Sequence, residues 1–344
     1  MKTSLKMALM ALAAALFVAS PTLVQAAQPQ QQQWTFETEA LFLHRNQTKG
    51  VPVAITTGTA RTVLGTNDIK FGFRPGVRFT LGYHPDPNNT VELVYFGLQK
   101  WTAKASTNCD KLGESSPCLA AVFSQASPSS SSGFYDFEDF GAINNPAEAA
   151  RIKYQSKLHN VELNYKRHFA PWGNFIPTLL VGLRYMSVPE RFGIAMFGED
   201  GDLSDRADYK IKSKNHLFGV QVGGDGTYRM GSVDLSLRAK AGLFANWAKQ
   251  ITSGSETSEG FSDSFRGSKS EAGAAGVGEA GLFATWNLHP NVALTAGYQI
   301  LYIAGLALAP EQMATSNSQG AISQLDKSGS AFYHGPSVGV KVSW

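Results

Sequence analysis

Basic side chains recur in several segments in which apolar residues occupy every second position. These residues are Arg74, Arg78, Arg184, Arg238 and Lys240, and an apolar residue precedes each of them. Residues that are two positions apart have their side chains on the same face of a β-strand. If the apolar face contacts lipid, the basic side chains must point into the interior, because an Arg or Lys on the lipid face at the midplane costs about 2–4 kcal/mol. They would then line a passage that favours anions.

Two glutamates could neutralise part of this charge. When the aromatic ends of neighbouring strands are aligned, Glu39 falls opposite Arg78 and Glu279 falls opposite Lys240, which predicts two cross-strand ion pairs. The three remaining basic residues would stay unpaired, so the sequence predicts a basic excess. The alternative is that the charges only fill a narrow barrel, because an interior enclosed by about eight strands is filled and an open channel needs about sixteen.

Glycines on the same interior face leave a similar choice. They could leave room for water, or they could relieve bending of the backbone in a tight barrel. These positions are Gly72, Gly76, Gly182, Gly219, Gly242 and Gly297.

The chain has two cysteines, Cys109 and Cys118. In an exported protein, so close a pair predicts a disulfide within a loop, which would contribute roughly 2–3 kcal/mol by the loop-entropy estimate. A metal site is the alternative, although no histidine lies near the pair in sequence.

Hydrolase chemistry has no clear signal. The seven histidines are separated along the chain, and neither a Gly-x-Ser-x-Gly nor a His-Glu-x-x-His pattern occurs. We therefore predict no catalytic residues, no metal and no cofactor.

Ten segments with the two-residue period must position these side chains. Most have 10 to 15 residues, and a transmembrane strand needs about 9 to 11. Two of them show a phase slip in the apolar set, and in the segment 151–167 the slip suggests a β-bulge. The segments are approximately 34–43, 71–83, 90–101, 151–167, 175–188, 209–223, 233–243, 273–286, 292–304 and 332–344.

Short and long connections alternate between these segments. Short, turn-rich links follow the even-numbered segments, and long links follow the odd-numbered ones, as in outer-membrane barrels with periplasmic turns and extracellular loops. The predicted fold is all-β, a transmembrane antiparallel up-and-down β-barrel of about ten strands. A hairpin hidden in the first loop (44–70) would make twelve, and the second loop (102–150) is either a lid or a mobile surface loop.

The two ends of the chain predict export and membrane assembly. Residues 1–26 resemble a cleaved signal peptide, residues 27–33 form a flexible lead-in, and residues 34–344 form the barrel in the bacterial outer membrane. The alternating C-terminal residues Val338, Val340, Val342 and Trp344 resemble the signal recognised by the barrel assembly machinery. Without the leader's two lysines, the formal charge falls from +3 to +1, which does not suggest a nucleic-acid partner.

Several segments resemble a β-barrel porin family abundant in planctomycetes. They are residues 81–101, 183–185, 190–192, 214–221 (KNHLFGVQ), 237–246 and 290–302. The resemblance implies a porin-like outer-membrane barrel and carries over no substrate or catalytic residues.

The expected function is a small passive pore for solutes or ions, surrounded by outer-membrane lipid. The alternative is a structural or adhesive barrel that acts through its extracellular loops, and a barrel hydrolase is the third candidate. The oligomeric state stays open.

Overall fold

A closed ten-stranded antiparallel barrel dominates the computed structural model. The structure describes residues 33–46, 49–121, 147–198, 206–258, 261–315 and 322–344. The predicted signal peptide, nearly all of the lead-in and residues 122–146 of the second loop therefore lie outside the described residues. The wall strands are β1 (Trp34–Arg45), β4 (Arg74–Asp86), β5 (Asn89–Asn108), β7 (Ala149–His168), β8 (Phe175–Phe197), β9 (Arg206–Met230), β10 (Val233–Ser258), β11 (Phe261–His289), β12 (Val292–Leu306) and β13 (Gly329–Ser343).

The first and last strands close the barrel. Trp34 and Trp344 exchange two backbone hydrogen bonds of 3.0 Å, and the register continues through pairs such as Thr38 with Val340. Val338 and Trp344 are exposed on the outer wall at this seam. The all-β up-and-down barrel with ten wall strands is confirmed.

The first loop does contain a hairpin, but it does not join the wall. Strands β2 (Pro52–Thr56) and β3 (Thr62–Gly65) form a separate three-stranded sheet with β6 (Leu119–Ala121) of the second loop. Val53 and Leu119 in this sheet are fully buried because the sheet packs on the hydrophobic core of the barrel. The wall therefore has ten strands and not twelve.

Tight turns gather at one end of the barrel, which we call the turn end. Asp86 and Asn89, Met230 and Val233, and His289 and Val292 each bound a two-residue link. Gly231 adopts a φ of 63° in the second link, a conformation that favours glycine. Both ends of the described wall lie here, and long connections leave from the opposite, loop end. The long link expected between β10 and β11 is wrong: the two strands stay paired up to Ser258 and Phe261, which leaves two residues between them.

The strands are longer than predicted, and their outer surface changes character along their length. In β7, Val161, Leu163 and Tyr165 face outward and are 41–49% exposed, whereas Ile152 and Leu158 towards the loop end face inward and are buried. The burial of β7 alternates without interruption. The bulge predicted for β7 is therefore wrong, and the register shift lies in its neighbour β5 at Leu98, whose φ is 72°.

The apparent phase slip marks a change of surroundings instead. In β9, Phe218, Val220 and Val222 face outward, whereas Tyr209 and Ile211 face inward. An apolar outer face with a polar interior suits lipid, and the reverse suits water. The wall thus consists of a membrane part at the turn end and a water-exposed extension at the loop end.

Three short helices complete the described chain: Thr66–Asp68, Cys109–Leu112 and Pro310–Thr315. Within the described ranges, none of the helices has the length and apolar character needed to cross a membrane.

The seam yields the first prediction. The substitution Trp344→Asp should reduce the fraction of folded barrel. It places a charge, instead of an aromatic ring, beside Trp34 at the position where the first and last strands pair. The fraction is measured from the faster-migrating, unboiled band on a detergent gel. Trp172→Asp, in an exposed turn, is the matched control and should fold normally; equal folding of both variants would contradict the role of Trp344.

Candidate functional site

Six charged side chains meet in the barrel interior and form what we call the central charge layer. Each comes from a different wall strand, and each side chain is at most 8% exposed. Its members are Glu39, Arg78, Glu162, Arg184, Lys240 and Glu279.

The acids and bases of this layer are linked pairwise. Arg78 lies 3.0 Å from Glu39 and 3.6 Å from Glu279. Lys240 lies 3.3 Å from Glu279 and 2.9 Å from Glu162. Arg184 bridges the same two acids, at 2.9 Å from Glu279 and 3.5 Å from Glu162. Three acids thus balance three bases, as buried charges require.

Both predicted ion pairs are present, with the predicted registers of Glu39 opposite Arg78 and Lys240 opposite Glu279. The sequence argument missed Glu162, which is 1% exposed and lies between the outward-facing Val161 and Leu163. The same two-residue period would have placed Glu162 inside. Arg184 is therefore paired, contrary to the expectation.

A second group of charges, the lower charge layer, lies nearer the turn end. Arg238 contacts Asp225 at 3.0 Å, and Lys166 contacts Asp225 at 2.9 Å and Glu92 at 2.8 Å. Asp225 was assigned to a turn, but β9 continues to Met230. Arg238 is paired as well, so the two layers together hold no basic excess.

Arg74 is the remaining predicted basic residue. It begins β4, is half-buried, and donates a hydrogen bond to the Phe73 carbonyl at 3.4 Å. It forms no ion pair with any residue that the structure describes. The predicted basic excess is thus reduced to one residue at the end of a strand.

Amide side chains occupy much of the space between the charges. Gln221 donates hydrogen bonds to Glu162 at 2.8 Å and to Asn164 at 2.7 Å, and Arg184 donates to Asn160 at 2.6 Å. A cavity of about 30 Å³ lies beside the lower charge layer, lined among others by Glu92 and Lys166. That volume is about the volume that one molecule occupies in liquid water.

Two interior glycines make room for side chains rather than for water. A Cβ on Gly297 would lie 2.3 Å from the Phe283 ring, and one on Gly76 would lie 2.1 Å from the Gln99 amide. Both side chains are buried, so these glycines allow the interior to be filled.

Towards the loop end, the link between β12 and β13 enters the barrel. Residues 307–309, which we call the plug segment, are fully buried. Asn215 accepts a hydrogen bond from the Ala307 amide at 2.8 Å and donates one to the Ala307 carbonyl at 3.0 Å. Ser213 also donates to that carbonyl, so two side chains of β9 hold the plug segment.

A buried ion pair anchors the end of the plug segment. Arg45 contacts Glu190 at 2.6 Å, and neither side chain is exposed. Glu190 also accepts hydrogen bonds from Tyr154 at 2.7 Å and from the Ala309 amide at 3.0 Å. The sequence argument missed this pair, whose members are 145 residues apart.

The disulfide joins Cys109 and Cys118, with a Cα–Cα distance of 5.8 Å. Both residues are buried against the core. Leu119 follows directly in β6, so the link holds the second loop on the three-stranded sheet.

The histidines are less isolated in the fold than in the sequence. Thr90 Oγ1 lies 2.9 Å from both His84 Nδ1 and His168 Nε2. On the outer wall, His159 and His216 contact Tyr95 and Tyr185 respectively. Within the described ranges, no three His, Cys, Asp or Glu side chains are grouped as a metal site would require.

Comparison with known proteins identifies one matching family and several solved structures of similar fold. A family model described as Putative beta barrel porin-7 matches residues 38–329. No curated protein matches the chain in sequence.

Among solved structures, the outer membrane protease OmpT from Escherichia coli is 11% identical, with 94% of this chain and 100% of that chain covered and a TM-score of 0.46. The translocator domain of autotransporter NalP from Neisseria meningitidis is 11% identical, with 99% and 95% covered and a TM-score of 0.35. A FadL homologue from Pseudomonas aeruginosa is 7% identical, with 92% and 90% covered and a TM-score of 0.25. These likenesses concern the fold alone, and no activity follows from them.

The second prediction tests the central charge layer. Glu162→Gln should destabilise the barrel by about 3–5 kcal/mol, because Lys240 and Arg184 lose a buried partner. The measurement is the urea midpoint of unfolding in detergent micelles. Glu37→Gln is the matched control, since Glu37 lines the interior cavity beside the lower charge layer but forms no ion pair with a described residue. An equal loss in both variants would contradict a specific role for the layer.

The third prediction concerns Glu311 in the helix Pro310–Thr315, which follows the plug segment. Burial, followed by repulsion from Asp326, raises the pKa of the Glu311 carboxyl above its ordinary value of 4.5. Its protonated form therefore favours the folded state below pH 4.5, and this contribution is lost as the pH rises through the folded-state pKa.

Glu311→Gln should accordingly raise the unfolding midpoint at pH 7 and change it little at pH 4. Glu114→Gln, which removes an exposed carboxyl from the second loop, is the control and should show no such pH-dependent difference. A gain for Glu311→Gln of equal size at both pH values would contradict the assignment.

Proposed function

The chain belongs to the Putative beta barrel porin-7 family, and from that premise we propose that it is a closed outer-membrane barrel that acts through its extension above the membrane, rather than a permanently open pore. The observation that carries the proposal is the filling of the interior at three successive levels. These are the lower charge layer, the central charge layer and the plug segment with its surrounding core.

The charge layers oppose free passage of ions. An ion that crosses the central layer must separate pairs such as Arg184 and Glu279, which lie 2.9 Å apart. Breaking a buried pair leaves an uncompensated charge at a cost of several kcal/mol. The balanced charge also removes the basis for the expected anion preference.

The extension supports a role outside the membrane. Strand β10 has 26 residues, roughly 15 more than the 9–11 that a transmembrane strand needs. At about 3.4 Å per residue, the surplus is on the order of 50 Å along the strand. The plug segment, the disulfide and the three-stranded sheet all lie in or on this extension, which gives a rigid support for contacts with other molecules.

A gated pore for small solutes or ions is the second candidate. It is favoured by the polar lining of the membrane part and by the way the plug segment is held. The described plug contacts are hydrogen bonds to side chains such as Asn215 and Glu190, and not the continuous backbone ladder of a wall strand. Displacing the segment would leave the wall intact.

The fourth prediction separates the two candidates in planar-bilayer recordings. The wild-type barrel should insert without stepwise conductance, because all three levels are closed. A variant that combines Lys240→Ala, Glu279→Ala, Arg238→Ala and Asp225→Ala with replacement of residues 307–328 by a short Gly/Ser turn should conduct, because it removes one base and one acid from each charge layer together with the plug.

The matched control carries Glu271→Ala and Lys327→Ala, which remove an ion pair of 3.0 Å outside the charge layers. It should stay silent. Stepwise conductance of the wild type would refute the closed barrel and support the pore, and heat-dependent gel migration verifies that each variant is folded.

A further inference from the structure

We propose that the outer wall of the extension holds a binding site for the phosphate groups of the glycolipid in the outer leaflet. The site lies on β5, β7, β8 and β9, beyond the point where these strands leave the membrane. The interior is not involved, so the inference goes beyond the function proposed above.

The outer edge of the membrane part is defined by outward-facing aromatic side chains. Tyr185 contacts His216 at 2.7 Å, and Tyr95 contacts His159 at 3.2 Å, while Trp247 on β10 is exposed. Tyrosine and tryptophan collect at the interface between lipid and water. These residues therefore mark the headgroup level of the leaflet at the loop end.

Basic residues begin at the next outward position on several of these strands. Lys157 lies two residues beyond His159, Lys214 two residues beyond His216, and Lys249 two residues beyond Trp247; all three are exposed. With the outward-facing basic residues that follow towards the loop end, they form what we call the outer basic belt. Its members are Lys100, Lys104, Arg151, Lys153, Lys157, Arg191, Arg206, Lys210, Lys212, Lys214, Lys249 and Arg266.

The belt covers one side of the barrel. Its members lie on β5 and β7 through β11, whereas the outward faces of β12, β13, β1 and β4 carry no lysine or arginine among the described residues. These four strands have 12–15 residues, against 20–29 in β5 and β7 through β11. The belt therefore lies on the strands that form the extension.

Within the belt, like charges face one another across strands. Lys104 pairs with Lys153, Lys153 pairs with Gly193, and Gly193 pairs with Lys210 in one continuous row. Like charges directly opposite in a sheet are destabilising. Asp208 is the one outward acid that the described wall places here, and it lines the same face. It is shared between Arg206 at 2.8 Å and Lys210 at 3.7 Å, so the row lacks enough anions of its own.

This row crosses a groove of about 420 Å³ in the outer wall. Five basic residues line it: Lys104, Arg151, Lys153, Arg206 and Lys210. Gly193 lies between two of the lysines, where a side chain would otherwise reduce the groove, and Phe197 packs under the guanidinium groups of Arg151 and Arg206 at 4.7 and 5.4 Å.

Clustered lysines and arginines are the side chains that bind phosphate. A volume of this size also accommodates a phosphate together with the sugar that carries it. The belt begins at the headgroup level of the outer leaflet, and the groove lies about 20 Å farther along the strands. The source of that phosphate is therefore the phosphorylated core sugars of a membrane glycolipid.

The test titrates the purified, folded full-length barrel in zwitterionic detergent with a glycolipid made of lipid A and phosphorylated core sugars. The same glycolipid with its core phosphates removed and inorganic phosphate serve as separate probes. The core-phosphorylated glycolipid should bind, the core-dephosphorylated one should bind at least tenfold more weakly, and millimolar inorganic phosphate should not displace the glycolipid. Equal binding of both glycolipids, or full displacement by inorganic phosphate, would overturn the proposal.

The variant Lys153→Gln with Lys210→Gln should weaken binding of the core-phosphorylated glycolipid roughly 30-fold. Each lysine near an anionic lipid surface contributes roughly fivefold in affinity, and the variant removes both. The matched control, Arg167→Gln with Arg229→Gln, removes the same charge from exposed positions at the turn end of the same two strands. It should bind like the wild type. An equal loss in both double variants would show nonspecific attraction and refute the site.

Discussion

A closed ring of ten strands fixes how much space its interior has, and the rest of this structure depends on how that space is filled. Lipid requires the backbone hydrogen bonds to be satisfied within the sheet, so the wall cannot open to adjust its diameter. In the membrane part, paired charges and amides fill the interior. In the extension, apolar and aromatic side chains do so, together with the plug segment. The interior thus changes from polar to apolar where the surroundings of the outer wall change from lipid to water.

Much of the barrel could be predicted because it repeats at short range. The two-residue period gave the ten wall strands, and the aromatic strand ends aligned Glu39 with Arg78 and Glu279 with Lys240. The surplus charge was mispredicted because two acids on adjacent strands were overlooked: Glu162 lies directly opposite Arg184, and Asp225, which was assigned to a turn, lies directly opposite Arg238. Arg184 on β8 reaches Glu279 on β11 across the interior, a contact that depends on ring closure and that no linear pattern encodes.

The remaining features depend on long-range contacts or on irregular segments. Arg45 on β1 and Glu190 on β8 meet across the interior between strands that are not neighbours, and the plug segment has no two-residue period to reveal its position. The phase slips in β7 and β9 were visible in the sequence, but the bulge suggested for β7 was the wrong explanation. A strand that passes from lipid into water exchanges its apolar face for a polar one without any break in its hydrogen bonds, and one outer surface can thus serve two solvents.

The plug segment has a consequence for the order of assembly. It belongs to the connection between β12 and β13, so it is tethered to the last hairpin of the chain, whereas its hydrogen-bond partners Asn215 and Glu190 lie on earlier strands. The side chains that hold the plug segment are therefore synthesised before the plug segment itself. The plug segment can occupy the interior only together with the hairpin of β12 and β13, so the element that closes the ring also carries the segment that fills it.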